Sequence, residues 1–102
     1  MLPPSALRVV EILAGCPGVE RVRLFGSRAR GDHDAGSDVD LAVDAPTLSR
    51  RDRVRLSLDA DEARTLYPVD LVWTDEAPAT LRARIDADGV PLYVREDAAA
   101  AR

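Results

Sequence analysis

The stretch LFGSRARGDHDAGSDVDLAV, residues 24–43, decides how this chain folds. Its two ends are apolar and predict two strands, and a glycine-rich polar segment joins them. Successive side chains of a strand point to opposite faces, so the apolar residues of DVDLAV share one face. Asp38 and Asp40 share the other face and lie about 7 Å apart along it. The second strand therefore contributes one face to the core and presents two carboxylates on the other.

Paired carboxylates of this kind predict a metal site. Without a cation the two groups repel each other, and at least one tends to hold a proton. Mg²⁺, or Mn²⁺ in its place, removes the conflict because hard cations favour carboxylate oxygens. A third acid, Asp70, alternates with Val69 and Leu71 in VDLVW. If that strand lies near Asp38 and Asp40, the three acids can hold two Mg²⁺ ions roughly 3.5–4 Å apart, a spacing that serves phosphoryl transfer.

The turn after the first strand predicts a phosphate site. Gly26 allows the backbone to approach a phosphate closely, and Ser27 offers a hydroxyl and a helix N-cap. Backbone N–H groups in such a turn form an anion-binding nest. Arg28 and Arg30 are further candidates for contact with a triphosphate. Two residues apart on a helical turn they face different directions, so at most one reaches the ligand readily, and the other is solvated or meets a partner.

The whole chain predicts one α/β (α+β) domain over residues 1–97, followed by a frayed tail at 98–102. PPSALRVVEILAG is predicted to form a helix with Leu7, Val10 and Leu13 at helical spacing, and VERVRLF a strand. A long charged helix follows the second strand, in TLSRRDRVRLSLDADEARTLYP. The last elements are a strand in VDLVW, a helix in APATLRARIDADG and a short closing strand in VPLYV. This order predicts a small mixed sheet with helices packed on one face.

The long charged helix has readable ends and an apolar stripe. Ser49 and Asp52 resemble a capping pair, and Pro68 ends the segment. Its predicted inward-facing residues are Leu56, Ala60, Ala63 and Tyr67. The run RRDRVR is either a solvated helix face or a surface for an acidic partner.

Composition excludes several classes of function. The formal charge of −4 disfavours a domain whose main task is nucleic-acid binding. All basic residues are arginine, so any cationic side chain that contacts a phosphate is an arginine. Cys16 is the single cysteine, which suits a reducing compartment, and no apolar run approaches the roughly 20 residues of a membrane span. We expect a cytoplasmic protein with no membrane contact.

Several candidates have a second interpretation. Asp38 and Asp40 could be charges that protect an edge strand from aggregation, and Asp70 an exposed strand residue. His33, in the polar segment, is either a catalytic histidine or a surface residue. Trp73 either stacks on an adenine or packs against a helix.

The pattern GSRARGDHDAGSDVDLAV, Gly-Ser followed after 10 residues by Asp-x-Asp, resembles the hallmark of the DNA polymerase β-like nucleotidyltransferase superfamily. The run is similar above all to the minimal, MntA-type members. The resemblance implies a nucleotidyltransferase fold, with Gly26 and Ser27 holding the triphosphate. It also implies that Asp38 and Asp40 are metal ligands and that Asp70 completes the catalytic metal site and activates the attacking hydroxyl.

The resemblance further implies a substrate and a partner. Members transfer AMP from ATP and release pyrophosphate, and MntA-type members are antitoxins that modify a tyrosine of a HEPN-type toxin, HepT. We therefore expect a protein adenylyltransferase that assembles with a HEPN toxin as a hetero-oligomer. Two alternatives stay open: an antitoxin that neutralises by binding alone, and a nucleotidyltransferase that modifies small molecules. The short chain disfavours the second, because little sequence remains to build an acceptor pocket.

Overall fold

Three helices and four strands make up the part of the chain that the structure describes. The structure, a computed structural model, describes residues 4–26, 29, 31, 39–63 and 69–95. The elements in chain order are α1 (Pro4–Ala14), β1 (Arg21–Phe25), β2 (Val39–Asp44), α2 (Arg50–Ala63), β3 (Val69–Trp73), a 3₁₀ turn (Thr74–Glu76), α3 (Ala79–Asp88) and β4 (Val90–Val94). Each predicted helix and strand is present, including the closing strand. Tyr67 and Pro68 lie outside the described residues.

The strands form one mixed sheet in the order β3-β2-β1-β4. β1 pairs antiparallel with both β2 and β4, and β2 pairs parallel with β3. Parallel neighbours need a long crossover, which α2 provides between β2 and β3. This confirms the predicted small mixed sheet and makes the Asp-x-Asp strand an interior strand.

The main core lies between α1, α2 and one face of the sheet. Val39, Leu41 and Val43 of β2 are fully buried there, as the alternation predicts. On α2, Leu56 and Ala60 are buried in the same cluster. Burial of these side chains stabilises the fold by about 25 cal/mol for each Å² of apolar surface removed from water.

The stripe predicted for α1 is partly wrong. Leu7 is exposed, and Ala6, Val9 and Leu13 are the buried residues. Residues of a helix advance by about 100° each, so Leu7 and Leu13 lie about 120° apart around the axis. Ala6, Val9 and Leu13 follow one continuous line, which explains why the sheet buries them instead.

Part of the opposite face of the sheet is covered by α3, so the prediction of helices on one face holds for α1 and α2 only. Ile85 of α3 is fully buried against Phe25 and Ala42, both of which point away from the main core. Leu81 packs at the edge of this second cluster. Among the described helices, none is long and apolar enough to cross a membrane.

The capping prediction for α2 is confirmed. The backbone N–H of Asp52 donates a hydrogen bond to Oγ of Ser49 at 3.2 Å. Ser49 is the residue directly before the helix begins. A serine at this position satisfies one of the unpaired N–H groups of the first turn and is worth about 1 kcal/mol.

Candidate active site

Two of the three predicted acids are neighbours across adjacent strands. Asp40 of β2 and Asp70 of β3 are register partners in the parallel pair. Partners in register point to the same face of a sheet, and neighbouring strands lie about 4.8 Å apart. Asp40 is half-buried and Asp70 is exposed, and both lie on the same face of the sheet. The register therefore places these two predicted acids side by side, and their role as metal ligands stays a prediction.

Gly26 lies directly against Asp40. It follows β1, has φ +77°, and its carbonyl accepts a hydrogen bond from the N–H of Ala29 at 3.1 Å. A Cβ added at this position would overlap Oδ2 of Asp40. Both the backbone angle and the available space therefore favour glycine, and the turn that follows β1 passes within contact distance of Asp40.

The remaining predicted site residues lie outside the described residues. These are Ser27, Arg28, Arg30 and Asp38, together with His33. Across the described ranges, no group of three or more His, Cys, Asp or Glu side chains is placed to hold a metal ion. The assignment of Asp38 as a metal ligand therefore stays a prediction from sequence.

The donor set of the described pair nevertheless fits Mg²⁺. Asp40 and Asp70 offer hard oxygen ligands on one face, and Mg²⁺ is commonly held by one or two carboxylates together with substrate phosphates. Because residue 26 has no side chain, Oδ2 of Asp40 can lie directly beside its backbone. These two acids would hold the ion, with Asp38 as the third predicted ligand.

Trp73 and Cys16 both pack against the main core. Trp73 packs against the main core, with the guanidinium carbon of Arg53 5.2 Å from the ring centroid. Cys16 is a half-buried free thiol against the same core. The indole of Trp73, at the end of β3, is therefore in contact with Arg53 of α2.

Arg53 is a buried cation that sequence interpretation missed. It lies in RRDRVR, which predicted a solvated face or a partner surface, yet it is only 8% exposed. Its guanidinium donates to Asp75 and Glu76 at 2.7 Å and to the carbonyl of Ala45 at 2.9 Å. The hydrogen bonds from Arg53 hold the pKa of Asp75 below its usual value, against the opposing effect of burial. Arg53 thereby fastens α2 to the 3₁₀ turn after β3.

A second missed network occupies the other end of the Asp40 face. Asp44 accepts hydrogen bonds from Arg21 and Thr74 and pairs with buried Arg23 at 3.4 Å. Burial raises the pKa of Asp44, but the hydrogen bonds from Thr74 and Arg21 and the charge of Arg23 outweigh it, so the pKa is lowered overall. The sequence does contain a signal for the position of Asp44. It is an even number of residues from Asp40 in the same strand, which places both side chains on one face.

Comparison with known proteins identifies the class of fold. The family described as polymerase beta, nucleotidyltransferase, matches residues 8–98, which is most of the chain. The chain therefore belongs to the polymerase β nucleotidyltransferase family. No curated protein sequence matches it significantly.

Solved structures narrow the likeness to small members. A candidate minimal nucleotidyltransferase is 33% identical with a TM-score of 0.65, and the match covers 85% of this chain and 91% of that one. A toxin–antitoxin crystallised with AMP-PNP is 26% identical with a TM-score of 0.67, covering 92% and 74%. The toxin–antitoxin MntA–HepT is 25% identical with a TM-score of 0.63, covering 92% and 74%. The chain thus has the fold of a minimal nucleotidyltransferase and is similar to chains of toxin–antitoxin complexes.

Proposed function

We propose that this protein transfers AMP from ATP to a hydroxyl of a HEPN-type toxin, with tyrosine as the acceptor, and acts as the antitoxin of that pair in the cytoplasm. The observation that supports it most directly is the register of Asp40 with Asp70, beside the turn at Gly26, in a chain of nucleotidyltransferase family. The likeness to MntA–HepT and to a toxin–antitoxin crystallised with AMP-PNP supports the choice of partner and nucleotide.

Some of the site residues bind the nucleotide, and others hold the metal ion and align the acceptor hydroxyl. Gly26 and Ser27 bind the triphosphate through the turn, and Arg28 or Arg30 adds positive charge to it. Asp38, Asp40 and Asp70 hold Mg²⁺, which when bound neutralises the phosphates and stabilises the charge of the transition state. Because these three aspartates would otherwise repel a triphosphate, the same acids make the reaction dependent on a divalent ion.

The reaction is an in-line displacement at the α-phosphorus of ATP. The acceptor oxygen forms a bond to that phosphorus, the bond to the β-phosphate oxygen breaks, and pyrophosphate leaves. Asp70 accepts the proton of the attacking hydroxyl and orients it. Asp70 is exposed at the start of β3, so a residue carried by another protein can reach it. Positioning of this kind supplies much of the rate enhancement in phosphoryl transfer.

Transfer of a radioactive α-phosphate tests the proposal. The chain, ATP labelled at the α-phosphate, Mg²⁺ and the HEPN-type protein encoded beside it are incubated, denatured and separated. We expect label on the HEPN protein and an intact mass increased by AMP. Asp40→Asn and Asp70→Asn should lower the rate at least about a hundredfold. Asp59→Asn, an exposed change on α2, is the matched control and should transfer normally.

Three outcomes would contradict the proposal or part of it. Label transfer that persists in Asp70→Asn would remove this residue from catalysis. Neutralisation of the toxin by Asp40→Asn, with no label transferred, would favour an antitoxin that acts by binding alone. Modification of a small molecule in place of the protein would favour the third class of function.

A further inference from the structure

The outward face of α2 has an apolar pair that is exposed in the part of the domain that the structure describes. Val54 and Leu58 are 54% and 60% exposed and lie one helical turn apart. Together with Arg51 and Glu62 they line a shallow surface groove. Large exposed aliphatic side chains at this spacing are typical of a helix that packs against another helix.

The charges along the same helix run against the helix dipole. Exposed basic residues occupy the first half and exposed acidic residues the second: Arg50, Arg51, Arg55, Asp59, Asp61 and Glu62. A helix is stabilised by acids near its N-terminus and bases near its C-terminus, each worth about 0.3–1 kcal/mol. Within Arg50–Ala63 only Asp52, beside the cap, follows that preference, and the last turn has no base. The stability of the isolated helix therefore does not account for this order.

A second copy of the same helix, run antiparallel, matches this order at Arg51 and Glu62, on either side of the apolar pair. Val54 and Leu58 both lie two residues from Leu56, so a two-fold axis at that level brings Val54 of each copy onto Leu58 of the other. Arg51 and Glu62 lie roughly 8 Å and 9 Å from the axis, from a rise of 1.5 Å per residue. Arg51 of each copy then faces Glu62 of the other. This is the self-complementary surface that a two-fold interface requires.

We propose that the outward face of α2 is a self-association surface on which a second copy packs its own α2 antiparallel. A partner of one charge sign would match only half of the face, whereas the face matches itself at both ends. The helix spans about 21 Å, so the contact is small and the dimer weak on its own. The proposal depends on exposed residues away from the Asp40–Asp70 pair and is independent of the proposed transfer reaction.

Charge exchange tests this surface in the full chain. Arg51→Glu makes both ends of the face acidic, and Glu62→Arg makes both ends basic. Sedimentation equilibrium over roughly 10 µM to 1 mM should show a wild-type monomer–dimer equilibrium and at least about a tenfold weaker one for each variant. An equimolar mixture of the two variants should regain a dimer, because each end then pairs opposite charges. The double variant carrying both changes should also dimerise.

The remaining variants separate a specific contact from general charge effects. Arg84→Glu places the same charge change on α3, where Arg84 is exposed, and should leave the equilibrium as in the wild type. Leu58→Ser should weaken the dimer with both charges intact. Circular dichroism melting confirms that each variant is folded.

A wild-type chain that is monomeric throughout the range would overturn the proposal. The same holds if the mixture of Arg51→Glu and Glu62→Arg stays monomeric while both variants are folded. Weakening by Arg84→Glu as strong as that by Arg51→Glu would also overturn it, because net charge and not the α2 face would then control association.

Discussion

Replacing Gly26 by alanine tests whether the turn after β1 is fitted to Asp40. Gly26 has φ +77°, and a Cβ there would overlap Oδ2 of Asp40. Gly31 is a matched comparison, since its φ is +84° and an added Cβ meets no atom within 4 Å. Both changes carry the same backbone penalty, and only Gly26→Ala adds a collision with the carboxylate.

The two penalties can be estimated separately. Alanine in the left-handed region costs about 1–2 kcal/mol, and the less flexible unfolded chain returns about 0.4–1 kcal/mol. Gly31→Ala should therefore lower the free energy of unfolding by about 1 kcal/mol. A side chain forced into a packed site adds about 1–3 kcal/mol, so Gly26→Ala should cost about 2–4 kcal/mol. The difference between the variants is the part that belongs to Asp40.

Urea unfolding and AMP transfer measure the consequences. We expect Gly26→Ala to lose more stability than Gly31→Ala and to transfer AMP at least about tenfold more slowly, because the carboxylate of Asp40 must move. In an Asp40→Ala background the cost of Gly26→Ala should fall to that of Gly31→Ala, since the colliding oxygen is gone. Equal costs for both glycine changes in the wild-type background, with normal transfer, would refute the proposed fit.

Two further predictions concern the polar networks. Arg53→Ala should lower the free energy of unfolding by about 2–4 kcal/mol, because charged hydrogen bonds are lost. The control Arg55→Ala, at an exposed position of α2, should change it by less than about 0.5 kcal/mol. A loss below about 1 kcal/mol for Arg53→Ala would contradict this prediction. The pKa of Asp44 is lowered from 3.8, so its stabilising effect is present above that pH and is lost as the pH falls through the folded-state value. At pH values below about 4, the urea midpoint of the wild type should therefore fall more steeply than that of Asp44→Asn. Parallel pH profiles of the two proteins would show that Asp44 does not cause the loss of stability in acid.

Local pattern predicted the elements and part of the candidate site. The alternation in DVDLAV placed Asp40 opposite the core, and the same alternation in VDLVW placed Asp70, so their shared face follows once β2 and β3 pair in parallel. The position of α3 could not be predicted, because an inward stripe containing Ile85 looks the same whichever face of the sheet it covers. Sequence spacing predicts which side of a helix is buried, but it does not predict which face of the sheet that side packs against.

The burial of Arg53 shows a second limit. It stands at helical spacing before Leu56 and Ala60, in the buried stripe, but a run of charges predicts a solvated face. Its partners Asp75 and Glu76 lie 22 and 23 residues later and reach it only after β3 has paired with β2. Long-range pairing of this kind has no local signal in the sequence.

The position of Asp40 between fully buried Val39 and Leu41 links folding accuracy to catalysis. A slip of β2 by one residue would drive a carboxylate into the apolar core and turn the flanking aliphatic side chains to water. A misregistered chain would therefore be inactive and unstable at the same time. Cellular quality control, which removes unstable proteins, would then also remove molecules of this chain in which Asp40 is misplaced.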